Sequence, residues 1–396
     1  MITNHAKQSI IISFIFALLI SSCSKDLRSF QDGHRNFYIE DSCIKLNSKF
    51  AQSISFPGII WYDENNFASY KGQFGLHWID NEGKTNSVIS IDPVSMIISP
   101  DGKNAIFNGY ELDIQHSKFY LLKKYDYEET KIKRLYNAPI WKDDISLLGT
   151  SWDFEKGTIT AITTDLNTGV IQENAIRDRS MSSEPAPKIA NNGILTYIWY
   201  QNYDGPRLVV YDTITNKEVA RYKDITYQIR PSWYGYLLNP QGTHILSISS
   251  LSGEGYDGKQ QELFGVEIGK EPVQITDFYS KYPYTLIYDI NFGGQRWSPD
   301  NRWIVLNVLP SETEQIDSSV NPSWLFLIDL EKNVGYQICQ QINPKDQHSI
   351  TWSPDSQYFA LSINDKIWVV DPKTLESRLL VEKPGIPLQI LGWTTP

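Results

Sequence analysis

One phrase recurs along this chain: an apolar strand, often closed by tryptophan, then a tight polar turn, then a second apolar strand. It reads Ile97-Ile98-Ser99-Pro100-Asp101-Gly102, and returns as Trp297-Ser298-Pro299-Asp300-Asn301 and Trp352-Ser353-Pro354-Asp355-Ser356. Degenerate copies stand at Trp61-Tyr62-Asp63-Glu64-Asn65, Trp141-Lys142-Asp143-Asp144, Ile189-Ala190-Asn191-Asn192-Gly193 and Leu238-Asn239-Pro240-Gln241-Gly242. Each residue type has its reason. Proline presets φ near −65°, Asp or Asn bonds its own backbone, and glycine accepts positive φ. Turns near residues 62, 99, 142, 191, 239, 298 and 353 give seven units, spaced 37 to 59 residues apart.

The strands beyond each turn are as regular. Trp303–Val308 and Tyr358–Ile363 are apolar at every alternating position, so both faces of these strands need cover. A third strand closes on aspartate at Asp80, Asp212, Asp329 and Asp371, and polar turns such as Asp165–Gly169 lead to a fourth. Four short strands per unit at this spacing predict the blades of a propeller, packed face to face. The expected fold is all-β: a single β-propeller of seven four-stranded blades, with six blades and one irregular unit as the alternative. Leu388–Trp393 reads as a spare first strand that closes the ring on the first blade and removes exposed edges. With 12 Trp, 23 Tyr and 16 Phe the chain suits a half-buried sheet surface. A net charge of −10 without a basic cluster argues against nucleic acid as a partner.

These turn-and-strand phrases resemble the TolB-type (WD40-like, PD40) propeller repeat, also found in the propellers of prolyl-oligopeptidase-like enzymes. The resemblance covers roughly residues 53 to 393. It implies the fold and says little of function, because one fold hosts many activities. Two departures count. TolB carries an α/β domain ahead of its propeller, for which residues 24–52 are too few, and the peptidases need a hydrolase domain for which there is no room. The WD-repeat family fits less well, since its Gly-His and Trp-Asp signatures are missing.

The N-terminus sets the expected location. The apolar run Ile10–Ile20 follows a short start carrying Lys7 and ends in Ile20-Ser21-Ser22-Cys23. Such a run is shorter than the roughly 20 residues that span a bilayer, and it has the marks of a secretory signal. Its last four residues resemble the bacterial lipobox, which implies lipidation of Cys23 with several acyl chains and a stable membrane anchor. The expected division is a signal peptide over 1–22, a lipidated tether and lead-in over 23–52, and the propeller over 53–396. The protein is then a lipid-anchored component of the bacterial cell envelope, facing away from the cytoplasm into the periplasm or at the cell surface. Cys43 and Cys339 are either one disulfide or two unpaired thiols.

The chain offers no catalytic motif. Its six histidines are scattered without zinc-ligand spacing, and it lacks a Gly-x-Ser-x-Gly elbow or a phosphate-cradling glycine loop. Gly253–Gly258 has the composition of a calcium loop without the carboxylate ladder. No metal or cofactor is expected, and most acidic residues are explained by turns. His77 and His244 read as packed or surface residues within strands.

The long connections are more informative. Strand-two-to-three loops share one face of a propeller with the links between blades. On that face fall Lys223–Tyr234, Leu251–Glu262, Pro310–Ser323 and the inter-blade stretch Asp277–Gly294. The residues assigned to a ligand-binding face are Tyr203, Arg207, Tyr227, Arg230, Trp233, Tyr256, Tyr282 and Tyr284, accompanied by Tyr200, Tyr279, Tyr288 and Lys281. Tyrosine, tryptophan and arginine dominate binding hot spots. The leading expectation is a non-enzymatic binding or scaffolding module for a protein, peptide or glycan. The alternatives are a hydrolase or lyase built from acidic residues dispersed around the channel, and a structural component of an envelope assembly.

Overall fold

The computed structural model describes residues 37–47, 54–64, 76–89, 92–99, 101–110, 118–123, 126–131, 137–143, 145–153, 158–177, 187–201, 205–222, 236–239, 241–250, 260–288, 296–313 and 320–395. They form seven sheets arranged as the blades of a propeller. A lead-in strand β1 (Tyr38–Ile39) precedes them. Blade 1 comprises β2 (Ile59–Glu64), β3 (Leu76–Asp80) and β4 (Thr85–Ile89). Blade 2 continues with β5 (Asp92–Ile98), β6 (Asn104–Tyr110), β7 (Lys118–Lys123) and β8 (Asp126–Glu129). Blade 3 has β9 (Asn137–Asp143), β10 (Ser146–Asp153), β11 (Thr158–Asp165) and β12 (Ile171–Arg177). Blade 4 has β13 (Lys188–Ile189), β14 (Ile194–Gln201), β15 (Gly205–Asp212) and β16 (Lys217–Tyr222). Blade 5 has β17 (Tyr236–Leu238), β18 (His244–Ser250), β19 (Gln261–Glu267) and β20 (Val273–Gln274). Blade 6 has β21 (Tyr284–Tyr288), β22 (Trp303–Ser311), β23 (Ser323–Asp329) and β24 (Val334–Ile342). Blade 7 has β25 (His348–Trp352), β26 (Phe359–Ile363), β27 (Lys366–Val370) and β28 (Ser377–Glu382), and the chain ends in β29 (Leu388–Thr394).

The spare strand does close the ring. β29 is the innermost strand of blade 1 and pairs antiparallel with β2, Ile60 opposite Trp393. This corrects one reading of the sequence: Trp61-Tyr62-Asp63-Glu64 is strand, not turn. The inner strand of blade 1 comes from the C-terminal segment, so Ile59 and Thr394 face each other where the other blades have a turn. Trp61 sits mid-strand, fully buried, and its indole N–H donates to the Thr394 hydroxyl at 2.8 Å.

The full turn copies share one hydrogen-bond scheme. Each serine hydroxyl donates to the aspartate two residues on, Ser99 to Asp101 at 2.6 Å, Ser298 to Asp300 at 2.5 Å and Ser353 to Asp355 at 2.6 Å. The same oxygen accepts the N–H of Asn104, Trp303 or Tyr358, which opens the second strand. The residue after aspartate is left-handed: Gly102 at φ 73°, Asn301 at 62° and Ser356 at 59°. Gly193 and Gly242 hold that place in the degenerate copies, at 83° and 64°. The third-strand aspartates work alike. Asp80, Asp165, Asp212, Asp329 and Asp371 each accept two backbone N–H groups of the next turn.

Seven apolar clusters fill the spaces between neighbouring blades, one to each interface. Between blades 6 and 7, for example, Trp303, Leu325 and Leu327 meet Ile350, Trp352 and Phe359. This is why the second and third strands are apolar on both faces. A tryptophan that ends an inner strand also ties its blade to the one before. The indole N–H of Trp141 donates to the Ile97 carbonyl at 2.9 Å, and that of Trp352 to the Arg296 carbonyl at 3.2 Å.

Residues 37–47, expected in a lead-in ahead of the propeller, lie along its rim. β1 runs parallel to β24 as a fifth strand of blade 6, and Ile44 continues the pairing with Ile338. Cys43 and Cys339 form a disulfide with Cα atoms 5.2 Å apart. The strap then crosses to blade 7, where Asn47 bonds Ser377 and accepts the Trp368 indole N–H. The outer strands of twisted blades lie close to the circumference. Phe37 therefore also reaches Phe278 of the link between blades 5 and 6, edge-on at 5.6 Å. Residues 1–36, with the signal segment and Cys23, lie outside the described residues.

Two measurements test these devices. The disulfide closes a loop of sequence separation 296, and removing such a bridge costs about 2–5 kcal/mol through the freed unfolded chain. C339S, or reduction of the native protein, should lower the chemical denaturation midpoint accordingly. Gly102 combines positive φ with a Cβ position against the Pro354 ring, whereas Gly83, at φ 78°, has open space. G102A should cost about 1–3 kcal/mol, and more than G83A, in thermal melts.

Candidate functional site

The antiparallel blades sort their connections onto two ends of the ring. Turns between first and second strands, and between third and fourth, fall at one end; the long connections fall at the other. At the tight-turn end the turns pack on one another towards the axis. The Asn239 amide donates to Asn301 and that of Gln241 to the Pro299 carbonyl, while the Asp300 N–H donates to the Ser356 hydroxyl at 2.9 Å. Gly102 lies against Pro354, and the Thr395 N–H donates to the Gly102 carbonyl at 2.7 Å. Blades 5, 6, 7 and 2 and the C-terminus are joined in this way. The turns of neighbouring blades are thus tied to one another at this end, and the long connections make the other end the candidate face.

Three of the residues assigned to that face are described, and all three lie at that end. Arg207, near the start of β15, is half-buried and stands opposite Trp199. Tyr282 packs on the apolar cluster between blades 5 and 6, and burial raises its phenol pKa, with Glu312 adding to the shift. Tyr284 opens β21 opposite Ser311. Tyr203, Tyr227, Arg230, Trp233 and Tyr256 lie outside the described residues. The stretch Asp277–Gly294 is not a loop throughout: Phe278–Ser280 is a 3₁₀ turn and Tyr284–Tyr288 is the inner strand of blade 6.

One residue that organises this face escaped the sequence reading. Glu262 is fully buried at the start of the third strand of blade 5. Its carboxylate accepts the Thr276 hydroxyl at 2.6 Å and the Tyr279 N–H at 2.9 Å, and the neighbouring Gln261 accepts the Ile287 N–H at 2.7 Å. Together they pin the link that carries Tyr279, Tyr282 and Tyr284. The available signal was a Gln-Glu pair opening a strand otherwise rich in apolar residues.

A second polar cluster lies where blades 7 and 1 meet. His77 stacks on Tyr62 with ring centroids 5.4 Å apart, bonds the Ser87 hydroxyl at 2.8 Å and faces Glu64 at 3.5 Å. Lys383 pairs with the same carboxylate oxygen. Burial lowers the His77 pKa, so the ring is neutral at pH 7. The inner strands carry acids as well as bases: Asp92 opens β5, and Asp143 ends β9, where it accepts the Ile145 N–H and the Ser146 hydroxyl of its own turn. Lys188 is lowered to about 8 by burial, over the Tyr236 ring at 5.5 Å. His348 is lowered to about 4 by burial and by Arg296, whose guanidinium donates to its Nε2 at 3.3 Å. His244, within β18 as expected, bonds the Thr243 hydroxyl through Nδ1. No group of three or more His, Cys, Asp or Glu fit to hold a metal occurs among the described residues.

Glu262 makes a pH prediction. Burial raises its carboxyl to about 7, above the usual value near 4.5. The folded state therefore holds this proton more tightly than the unfolded chain does. The stability it contributes is complete below pH 4.5 and is lost as pH rises to 7, by about 3 kcal/mol. E262Q should abolish that loss, so its stability relative to the native protein should be greater at pH 8 than at pH 4.5 in paired denaturation curves.

No family model matches the chain, and no curated protein matches its sequence. Solved structures do match. TolB from Acinetobacter baumannii is 15% identical over 72% of this chain and 64% of its own, at a TM-score of 0.42. Oligogalacturonate lyase from Vibrio parahaemolyticus is 11% identical over 84% of this chain and 86% of its own, at 0.49. Prolyl oligopeptidase B from Galerina marginata is 13% identical over 85% of this chain and 51% of its own, at 0.50. The chain thus spans under two thirds of TolB and about half of the peptidase. Such identities speak to fold alone: this chain is a seven-bladed β-propeller whose structural neighbours include TolB, a lyase and a peptidase.

Proposed function

We propose that this protein is an exported lipoprotein of the TolB-like (PD40) repeat type, anchored in the bacterial cell envelope through acylated Cys23. Its propeller acts as a non-enzymatic binding or scaffolding module for a protein, peptide or glycan. The observation that supports this is the contrast between the ends of the ring. At one end short turns are tied to their neighbours, whereas the other carries half-buried Arg207 at the start of β15, and Tyr282 and Tyr284 on a link pinned by Glu262. Aromatic and guanidinium groups held on a rigid scaffold bind with little loss of side-chain entropy.

The test is crosslinking of the lipidated protein in its native membrane, affinity capture and identification of what is retained. Y282A with Y284A should reduce capture about tenfold or more, as expected for hot-spot truncation. Unchanged capture would move the binding site elsewhere. Metabolic labelling with an acyl-chain analogue should mark the native protein and leave C23S unlabelled.

A hydrolase or lyase is the second reading. Its version with acidic residues around the channel would draw on inner strands that carry Lys188 and His348 beside Asp92 and Asp143, and Asp143 is engaged by the Ile145 N–H and Ser146 hydroxyl of its own turn. Among the described residues, the line Ser87–His77–Glu64 is the arrangement that favours it, with an exposed hydroxyl on a neutral imidazole. Its carboxylate is engaged by Lys383 and stands beyond hydrogen-bond distance of the ring. A fluorophosphonate probe should therefore leave Ser87 unmodified; labelling that is lost in S87A would establish the hydrolase.

A further inference from the structure

We infer that the tight-turn end of the propeller lies against the lipid surface, with aliphatic turn tips of blades 3 and 4 touching the headgroup region. The inference rests on the lipid-anchor reading above and extends it to an orientation. Two independent observations carry it.

The first is where the lead-in enters. β1 runs parallel to β24, and the Tyr38 N–H donates to the Asn333 carbonyl in the turn between the third and fourth strands of blade 6. The chain therefore joins the rim from the tight-turn side. The disulfide and the Asn47 contacts with blade 7 keep it there. Thirteen residues separate Cys23 from Phe37, and a chain of that length reaches at most roughly 45 Å in any conformation.

The second is where apolar side chains meet water. Among the described residues, eight large hydrophobic side chains are exposed. Tyr279 and Val320 belong to the long-connection end. Of the other six, Tyr38 stands beside the chain entry, Ile145, Val170, Ile171 and Ile214 stand in or beside tight turns of blades 3 and 4, and Val219 lies within the outer strand β16. The turns that carry Ile145, Val170, Ile171 and Ile214 are linked to one another. The Leu166 N–H donates to the Ile145 carbonyl, which joins the two turns of blade 3, and the Asn174 amide donates to the Thr213 carbonyl, which joins blade 3 to blade 4. Ile214, at the tip of its turn, is 77% exposed. Isolated exposed apolar residues need no explanation, but a clustered set marks an interaction surface. Aliphatic tips beside an anchored chain suit an interfacial contact driven by buried apolar area. The net charge of −10 makes that contact independent of attraction to anionic lipid. The orientation turns Arg207, Tyr282 and Tyr284 away from the membrane, where a partner can reach them.

The experiment uses the full lipidated chain in phosphatidylcholine vesicles. With Cys23 acylated and Cys43 bonded to Cys339, one introduced thiol is the sole site for a polarity-sensitive fluorophore. I214C reports the tight-turn end and V320C the long-connection end, and acyl-brominated phosphatidylcholine is the quencher. The expected result is co-flotation with vesicles, a blue-shifted emission quenched at 214, and neither change at 320. Co-flotation with no quenching at 214, or with quenching at 320, would overturn the orientation and leave the anchor standing; a protein neighbour on the patch gives this pattern. Failure to float would overturn the anchor, and the orientation with it.

Discussion

The antiparallel pairing of β29 with β2 is the constraint on which the rest of this molecule depends. Each blade presents apolar side chains on both faces, so each needs two neighbours. An open array would leave one face of its first and last blades in water. Ring closure gives all seven interfaces a partner, and it does so with main-chain hydrogen bonds between residues more than 300 positions apart. Trp61 and Trp393, both fully buried, sit on the joined strands and bond Thr394 and Pro57 across the seam. The strap over blades 6 and 7 adds a covalent tie by another route, through Cys43 and Cys339.

A ring so closed divides labour between its ends. The tight-turn end is built from groups that satisfy one another: serine to aspartate within turns, asparagine and serine between them. Those carboxylates are held by turn N–H groups and hydroxyls, as the lowered pKa values of Asp101, Asp143, Asp165 and Asp212 reflect. They are structural acids. The long-connection end instead spends a buried acid, Glu262, on holding a link between blades, which fixes the aromatic residues beyond it. In the function and orientation proposed above, recognition and anchoring occupy opposite ends of the ring without competing for surface.

The fold was legible because its signals are local. Ser298, Pro299, Asp300 and Asn301 make their turn with bonds spanning five residues or fewer, so the pattern survives in the one-dimensional string. The misread copy at Trp61 shows the limit of that reasoning. Tryptophan followed by acidic residues has the letters of the turn, but its neighbour in space is the C-terminal strand, and nothing nearby in sequence reveals this. The lead-in was set outside the propeller for the same reason, since its partners Val334, Gly335 and Ser377 lie about 300 residues away. Arg207, Tyr282 and Tyr284 could be placed at the long-connection end because antiparallel connectivity alone sorts loops by end. Glu262 could not, because a buried carboxylate is recognised by the donors around it, which come from residues 276 and 279.

By itself the sequence determined the all-β architecture, the four-strand unit, the spare closing strand and the chemistry of the Ser-Pro-Asp turns, because these arise from backbone preferences and short-range hydrogen bonds. Only the tertiary structure decided that Trp61–Glu64 is strand rather than turn, that the disulfide straps the rim, that the turns of neighbouring blades bond one another and that the exposed aliphatic residues among those described gather on blades 3 and 4. Each of these is a meeting of groups far apart along the chain, and their distance in space is set by the closure of the whole ring rather than by any segment of it.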